Sequence, residues 1–129
     1  MKAPVLVLLP LDDSFLYSEE ITLPKSGHVK IGRSCGLATI PDDAHVYFDS
    51  EVLSRKHAEV WAKDGKIFIK DTESYNGTFV NGKRLSVEDK ASEPCELNSG
   101  DFVEFGIDVL GEGGATVHRK ISARVICEM

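Results

Sequence analysis

Alternation of apolar and polar residues is the most regular pattern in this 129-residue chain, and it is clearest near the C-terminus. Apolar side chains there fall at every second position, at Ile121, Ala123, Val125 and Cys127. Charged or hydroxyl side chains fall between them, at Lys120, Ser122, Arg124 and Glu128. A period of two residues is typical of a β-strand with one face in a core and the other in solvent.

Two further pairs of segments predict β-hairpins. Segments 58–62 and 66–69 flank Asp64-Gly65, and segments 78–80 and 83–85 flank Asn81-Gly82. Asp-Gly and Asn-Gly dipeptides favour the tight primed turns that join antiparallel strands. Short apolar runs predict five more strands, at Val5–Leu9, Ile21–Leu23, Val29–Gly32, Val46–Phe48 and Phe102–Phe105.

No segment has a convincing helical pattern. The best candidate, 87–92, is short and is followed by Pro94, so we expect a loop there. About ten short strands without crossover helices predict an all-β fold, either an antiparallel sandwich or a barrel. The sequence has no repeat and no change of composition, so we expect a single domain over residues 1–129. Because the last predicted strand reaches the C-terminus, we expect the chain to be a fragment of a longer protein.

Composition and charge argue against several classes of protein. The chain is 42% hydrophobic, enough to bury a core, and its formal net charge is −6. We therefore expect no nucleic-acid binding, because the phosphate backbone attracts basic proteins. The longest apolar run, Val5–Leu9, is far shorter than the roughly 20 residues of a membrane span, so we expect no membrane contact by this domain.

The cysteines bear on the compartment of the protein. There are three, at Cys35, Cys95 and Cys127, and they form no C-x-x-C pair. An odd number without paired spacing argues against a disulfide framework and against a zinc site. This pattern favours a reducing, cytoplasmic location.

Candidate chemistry lies in three loops between predicted strands. The first contains Gly32-Arg33, the second Ser54-Arg55-Lys56-His57, and the third Ser74-Tyr75-Asn76-Gly77-Thr78. If these loops share one end of the fold, they bring together guanidinium, ammonium, hydroxyl and amide donors. A guanidinium binds two phosphate oxygens at once, and a hydroxyl with backbone N–H groups binds the third. The three loops therefore indicate a local phosphate site in an otherwise acidic protein.

A hydrolase is the main catalytic alternative. Ser54, His57 and Asp71 are the residue types of a nucleophilic triad. Ser54 and His57 lie only three positions apart in a loop, and no G-x-S-x-G segment precedes a helix, so we expect no catalytic residues. The other three histidines are not spaced with cysteines or carboxylates as metal ligands are, so we expect neither a metal nor a cofactor.

The spacing of these motifs resembles that of the forkhead-associated (FHA) domain family. Four motifs occur in the order found in that family: Gly32-Arg33, Ser54-Arg55-x-His57, Ser74-x-Asn76-Gly77-Thr78 and Asn81-Gly82. The likeness runs from about Val29 to Gly106, and the flanking strands fit the outer parts of the same fold. The resemblance implies an FHA/SMAD-like antiparallel β-sandwich of about 10–11 strands, with loops at one end that bind phosphothreonine peptides.

The resemblance also implies roles for individual residues. The phosphopeptide contacts it implies are Arg33 and Ser54 on the phosphate, Arg55 beside them, Asn76 on the peptide backbone, and Tyr75 at the rim. Tyr75 departs from the family pattern, because many relatives have a Ser or Thr there whose short hydroxyl reaches the phosphate. Support of the binding loops is implied for Gly32 and Gly77 through tight turns, for His57 through hydrogen bonds, and for Ser74 and Thr78.

Two further stretches, 45–49 leading into 52–55 and 94–101 leading into 105–109, resemble the sarcolemmal membrane-associated branch of the FHA family and its fungal relatives. That resemblance implies an adaptor of striatin-interacting phosphatase and kinase (STRIPAK) complexes, which docks threonine-phosphorylated partners such as Hippo-type kinases. It also implies a parent protein tethered to a membrane by a segment outside this chain. The alternative is a phosphorylation-independent interaction scaffold that uses another face of the sandwich.

Overall fold

The computed structural model describes residues 3–34 and 44–129, which form thirteen strands and one short 3-10 turn at Glu112–Gly114. The strands are β1 (Val5–Pro10), β2 (Glu19–Thr22), β3 (Val29–Arg33), β4 (His45–Phe48), β5 (Ala58–Lys63), β6 (Lys66–Asp71), β7 (Thr78–Val80), β8 (Lys83–Arg84), β9 (Cys95–Leu97), β10 (Phe102–Phe105), β11 (Val109–Leu110), β12 (Thr116–His118) and β13 (Ile121–Glu128). Cys35 and part of the connection after Arg33 lie outside the described residues.

Two sheets enclose the core. Within the described residues, six strands form an antiparallel sheet in the order β2-β1-β13-β10-β7-β8, and five form a second sheet in the order β4-β3-β5-β6-β9. Leu6, Leu8 and Phe105 of the first sheet and Ile31 and Ile69 of the second are all almost completely buried. The prediction of an all-β sandwich is therefore confirmed, and the barrel alternative is wrong.

The alternating segment near the C-terminus forms the centre of the six-stranded sheet. Strand β13 pairs with β1 on one side and with β10 on the other. Ile121, Ala123 and Val125 are each at most 2% exposed, so their face packs into the core as the alternation predicted. Ser122 on the opposite face is also buried, because its backbone is bonded to Ser14 of the β1–β2 loop.

Both predicted hairpins are present. Strands β5 and β6 pair around Asp64-Gly65, and β7 and β8 pair around Asn81-Gly82. Asp64 has φ = 53° and Asn81 has φ = 52°, values that a primed turn requires of its first central residue. Asp and Asn tolerate this left-handed region better than most residues do, which explains why the dipeptides were informative.

The structure corrects two details of the expected fold. The described residues have more strands than the 10–11 expected, because β9, β11 and β12 were not predicted. Strands β11 and β12 form a separate ribbon with mostly exposed side chains, so they lack the alternation that reveals a half-buried strand. The sandwich is also not wholly antiparallel, since β3 and β4 run parallel. Parallel neighbours are not joined by a tight turn and therefore leave no hairpin signal.

One end of the sandwich carries the candidate loops. The register pairs at that end include Arg33 with Phe48, Ala58 with Asp71 and Thr78 with Phe105. The loops β4–β5 and β6–β7 therefore leave the sheets at the end where Arg33 closes β3. The β1–β2 loop lies at the same end, because Pro10 at the end of β1 pairs close to the start of β13.

Gly32 lies within strand β3, where the β4–β5 loop passes directly over it. A Cβ atom at Gly32 would lie 1.8 Å from the carbonyl oxygen of Arg55 and 2.8 Å from its carbonyl carbon. Both are backbone atoms, which cannot rotate away. Glycine is therefore required at position 32 because two chain segments approach each other closely there. The tight turn that the family resemblance implied is not the reason.

The buried imidazole of His57 connects two of the loops. Its Nδ1 accepts the backbone N–H of Ser54 at 3.1 Å, and its Nε2–H donates to the carbonyl oxygen of Gly77 at 2.7 Å. An imidazole that accepts at one nitrogen and donates at the other is neutral. Burial lowers the pKa of His57, and the hydrogen bond to Gly77 and the charge of Asp71 offset part of that shift.

The buried carboxylate of Asp71 shapes the β6–β7 loop from within. Its Oδ1 accepts the backbone N–H of Ser74 at 2.9 Å, and its Oδ2 accepts the hydroxyls of Ser74 and Thr78. The Ser74 hydroxyl in turn accepts the backbone N–H of Gly77 at 3.1 Å. The sequence indicated Asp71 only as a possible triad member and not in this role, because the partners of its oxygens follow from the loop conformation.

The protonation of His57 makes stability depend on pH. An unfolded histidine has a pKa of about 6.5, and the folded value of His57 is lower, so between the two values the unfolded chain binds one more proton. The free energy of unfolding should therefore fall as pH decreases below about 6.5, by at most about 1.4 kcal/mol per pH unit from this group. Urea denaturation at pH 7.5 and 5.5 should show a smaller loss in H57Q than in the wild-type protein. Equal losses in the two proteins would contradict the prediction.

Adding a methyl group at Gly32 should strain the fold. We expect G32A to lower the free energy of unfolding by about 1–3 kcal/mol, because the new Cβ collides with the Arg55 backbone. Lys30 lies two residues earlier on the same strand and is exposed, so K30A is the matched control and should change stability by less than about 0.5 kcal/mol. Urea denaturation of both variants tests this, and a G32A protein as stable as K30A would contradict it.

Candidate phosphate-binding site

The three loops singled out by the sequence meet at Ser54. The backbone N–H of Arg33 donates to the Ser54 carbonyl oxygen at 3.0 Å, which joins the end of β3 to the β4–β5 loop. The backbone N–H of Tyr75 donates to the Ser54 hydroxyl oxygen at 3.1 Å, which joins the β6–β7 loop to the same residue. Ser54 thus lies between the two segments that carry Arg33 and Asn76.

Positive charge is displayed where these loops meet. Arg33, the last residue of β3, is exposed, and so are Arg55 and Lys56, which directly follow Ser54. Their backbones are fixed by the contacts of β3 and of Ser54, whereas their side chains face solvent. Two guanidinium groups and an ammonium at one surface suit an anion with several oxygens.

Neutral donors lie beside these cations. A serine hydroxyl has one hydrogen and can accept as well, so Ser54 can accept from Tyr75 while donating to a ligand. Asn76 is half-buried, and its Nδ2 donates to the Val52 carbonyl oxygen at 2.9 Å. This bond fixes the amide plane, and the amide also has a second hydrogen and a carbonyl oxygen suited to a peptide backbone.

Tyr75 lies at the rim of the site and is 60% exposed. Its backbone is held at both ends, since its N–H donates to Ser54 and its carbonyl oxygen accepts from Arg84 Nη2 at 3.0 Å. The phenol, in contrast, extends into solvent. The position therefore contributes a fixed backbone to the loop, and its side chain lines the edge of the surface.

Arg84 is a supporting residue that the sequence analysis missed. Besides the bond to Tyr75, its Nε donates to the carbonyl oxygen of Ser86 at 2.7 Å. The guanidinium lies directly behind Gly77, where a Cβ atom would come within 2.8 Å of Nε, and Gly77 has φ = 97°. Arg84 belongs to a predicted hairpin strand, and no local pattern indicated that its side chain would reach the third loop.

The arrangement supports binding and not catalysis. Both ring nitrogens of His57 are bonded to backbone groups, and the Asp71 carboxylate is bonded to Ser74 and Thr78. The Ser54 hydroxyl accepts from a backbone N–H and does not donate to the imidazole. No relay of the kind that activates a nucleophile connects these three residues. The contacts of these three side chains do not fit the hydrolase alternative.

The described residues contain neither a group of metal ligands nor a membrane-spanning helix. Across 3–34 and 44–129, no three His, Cys, Asp or Glu side chains are grouped so that they could hold a metal ion. In that part of the chain, no helix has the length and apolar character needed to cross a bilayer.

Comparison with known proteins shows relatives in fungi and mammals. A Schizosaccharomyces pombe protein described as uncharacterized is 47% identical over 123 residues, which cover 94% of this chain and 40% of that protein. Human sarcolemmal membrane-associated protein is 49% identical over 99 residues, which cover 75% of this chain and 12% of that protein. The chain therefore spans less than half the length of these relatives.

A solved structure and a family profile agree with the geometry. The N-terminal FHA domain of Saccharomyces cerevisiae Rad53p, solved in complex with a phosphothreonine peptide, superposes with a TM-score of 0.67 at 19% identity and covers 96% of this chain and 94% of that domain. The profile of the FHA domain matches residues 29–106, which contain all four sequence motifs. The chain belongs to the FHA domain family, whose members bind phosphothreonine peptides as non-catalytic interaction modules.

Proposed function

We propose that this chain binds phosphothreonine peptides through the surface formed where its three loops meet at Ser54. In this proposal Arg33, Ser54 and Arg55 bind the phosphate, Asn76 binds the peptide backbone, and Tyr75 lines the rim. The observation that carries the proposal is the position of Ser54, whose backbone and hydroxyl are bonded to the two other loops. Arg33 and Tyr75 are bonded to Ser54 through their backbones. Arg55 and Asn76 are the chain neighbours of Ser54 and Tyr75 at this junction.

The chemistry of phosphate explains why phosphorylation should control binding. Phosphorylation of threonine adds about −1.5 to −2 charge and three acceptor oxygens. Each charge-assisted hydrogen bond to such an oxygen contributes about 1.5–3 kcal/mol. An unphosphorylated threonine offers one neutral hydroxyl to the same cations, so it loses most of this interaction energy.

The supporting residues keep the donors in position. His57 holds Ser54 and Gly77 at fixed separation, and Ser74 and Thr78 fold the third loop around Asp71. Gly32 allows the Arg55 backbone to pass over β3. Because hydrogen bonds weaken steeply when donors are misaligned, these contacts matter for affinity although none of them needs to touch the ligand.

We further propose that residues 1–129 form one domain of a longer, cytoplasmic adaptor protein. The relatives described above are longer than this chain, which supports the idea of a larger parent. The similarity to sarcolemmal membrane-associated protein, by its name, supports a parent tethered to a membrane by another segment. The same similarity underlies the finer proposal of a STRIPAK subunit that docks a threonine-phosphorylated partner, such as a Hippo-type kinase.

A phosphorylation-independent scaffold is the second candidate function. The β11–β12 ribbon favours it, because Leu110 and Val117 are 61% and 58% exposed and neither belongs to the three loops that meet at Ser54. Exposed apolar side chains of this kind are common at protein interfaces. A scaffold of this type would bind its partner equally well with or without phosphate.

Replacing Arg33 should separate the two candidate functions. We expect R33A to bind a phosphothreonine peptide at least tenfold more weakly than wild type, because the variant loses a bidentate, charge-assisted contact. The matched control is K30A, which removes one positive charge from the same strand and should bind within twofold of wild type. Titration calorimetry gives the affinities, and a melting curve shows whether each variant is folded. Wild-type affinity in folded R33A, or equal binding of the unphosphorylated peptide, would favour the scaffold.

The role of Tyr75 is tested by removing its hydroxyl and then its ring. We expect Y75F to bind the phosphothreonine peptide within twofold of wild type, because the phenol lies at the exposed rim. Y75A should bind a few-fold more weakly, since the ring no longer shields the edge of the site. A tenfold loss in Y75F would show instead that the phenol contacts the phosphate.

A further inference from the structure

A groove lies beside the candidate phosphate site at the same end of the sandwich. Its volume is about 400 Å³, and it runs between the β1–β2 loop and the end of β4. Carboxylates and apolar side chains both line it, including Asp13, Glu19, Asp49, Phe15, Leu16 and Tyr17. None of the residues that bind the phosphate in our proposal belongs to it.

The β1–β2 loop that forms one wall is firmly held. The Ser14 hydroxyl donates to the Ser122 carbonyl oxygen at 2.8 Å and accepts the Ser122 N–H at 3.0 Å. The guanidinium of Arg119 donates to the carbonyl oxygen of Asp12. Despite this anchoring, Leu16 is 88% exposed and Tyr17 is 80% exposed. A fixed loop that displays two large apolar side chains is typical of a contact surface.

The charge of the groove is one-sided. The lining residues in the described part of the chain include three carboxylates and neither lysine nor arginine. Two nearby cations are engaged elsewhere, since Arg119 is bonded to Asp12 and Lys120 is paired with Glu104. Burial raises the pKa of Glu19, as expected for a partly desolvated carboxylate. A cation bound in the groove would find several negative partners.

The groove is close enough to the phosphate site for one ligand to occupy both. Phe48, which lines the groove, pairs with Arg33, and its carbonyl oxygen accepts the Ser34 N–H at 2.9 Å. Neighbouring strands lie about 4.8 Å apart, and Asp49 directly follows Phe48. An extended peptide advances about 3.3 Å per residue. If its phosphothreonine binds at Arg33, its side chains about two to four residues away reach the groove.

We propose that this groove is a second subsite for the same phosphopeptide and that it selects a lysine or arginine about two to four residues from the phosphothreonine. This inference rests on the proposed phosphothreonine function. The charged end of such a side chain pairs with Glu19 and Asp49, while its aliphatic part packs on Leu16 and Tyr17. A basic side chain is the one residue type that satisfies both the carboxylates and the apolar wall.

Peptides with a moving lysine test the proposal. One phosphothreonine peptide contains no basic residue, and the others carry a single lysine at each of the four positions on either side of the phosphothreonine. We expect the wild-type protein to bind about fivefold more tightly when the lysine occupies one or two of the positions that lie two to four residues from the phosphothreonine, as measured by fluorescence anisotropy. The gain should vanish in the double variant E19Q/D49N.

Glu20 provides a matched control. It neighbours Glu19 on β2 and its side chain lies on the opposite face of the strand, so E20Q removes one negative charge, as E19Q alone does, without touching the groove. The lysine gain should persist in E20Q. A gain that is uniform over all positions, or that survives in E19Q/D49N, would overturn the proposal, because it would reflect only attraction to an acidic protein.

The remaining outcomes separate this proposal from the one on which it rests. If the lysine-free phosphopeptide binds wild type but not R33A, and no lysine position improves binding, only the groove proposal fails. If the lysine-free phosphopeptide binds no better than its unphosphorylated form, the phosphothreonine function fails and the groove proposal with it. Sedimentation that shows a dimer, dissociated by L16S, would assign the groove to a second copy of the chain and also overturn the proposal.

Discussion

The neutral imidazole of His57 joins the β4–β5 loop to the β6–β7 loop, because one ring nitrogen accepts from Ser54 and the other donates to Gly77. These two bonds set the distance between the residue that carries the central hydroxyl and the loop that carries Asn76. A charged imidazole could make only one of them, since both nitrogens would then be donors. The geometry of the candidate site therefore depends on a histidine that is kept neutral by burial.

The acidic character of the chain and an anion site are compatible because the site is built mainly from neutral contacts. Backbone amides, hydroxyls and the buried Asp71 position the loops. The side chains of Arg33 and Arg55 remain at the surface, where a phosphate can reach them. A net charge of −6 then favours ligands whose negative charge is concentrated in one group. A polyanion whose charge is spread over a large area would be repelled by the acidic rest of the protein surface.

Local patterns predicted the parts of the structure that local chemistry determines. Asn81-Gly82 specified a turn, the alternation in β13 specified a buried face, and spaced motifs located the loops that converge. The remaining features depend on contacts between distant segments. The parallel pairing of β3 with β4 has no turn signal, and Arg84 reaches Tyr75 only after β8 has folded back. The groove, likewise, arises where edges of two sheets meet, so no single segment of sequence contains its pattern.

The carbonyl oxygen of Gly77 accepts a second hydrogen bond, from the backbone N–H of Gly106 at 2.8 Å. His57 precedes a strand of one sheet and Gly106 follows a strand of the other, so this single oxygen links the two layers of the sandwich at the loop end. A loop tied to both layers is already ordered before any peptide arrives. Association then loses little conformational entropy from the protein, and most of that loss comes from the peptide. Partners whose phosphorylated segment is itself extended and stiff would therefore gain the most affinity.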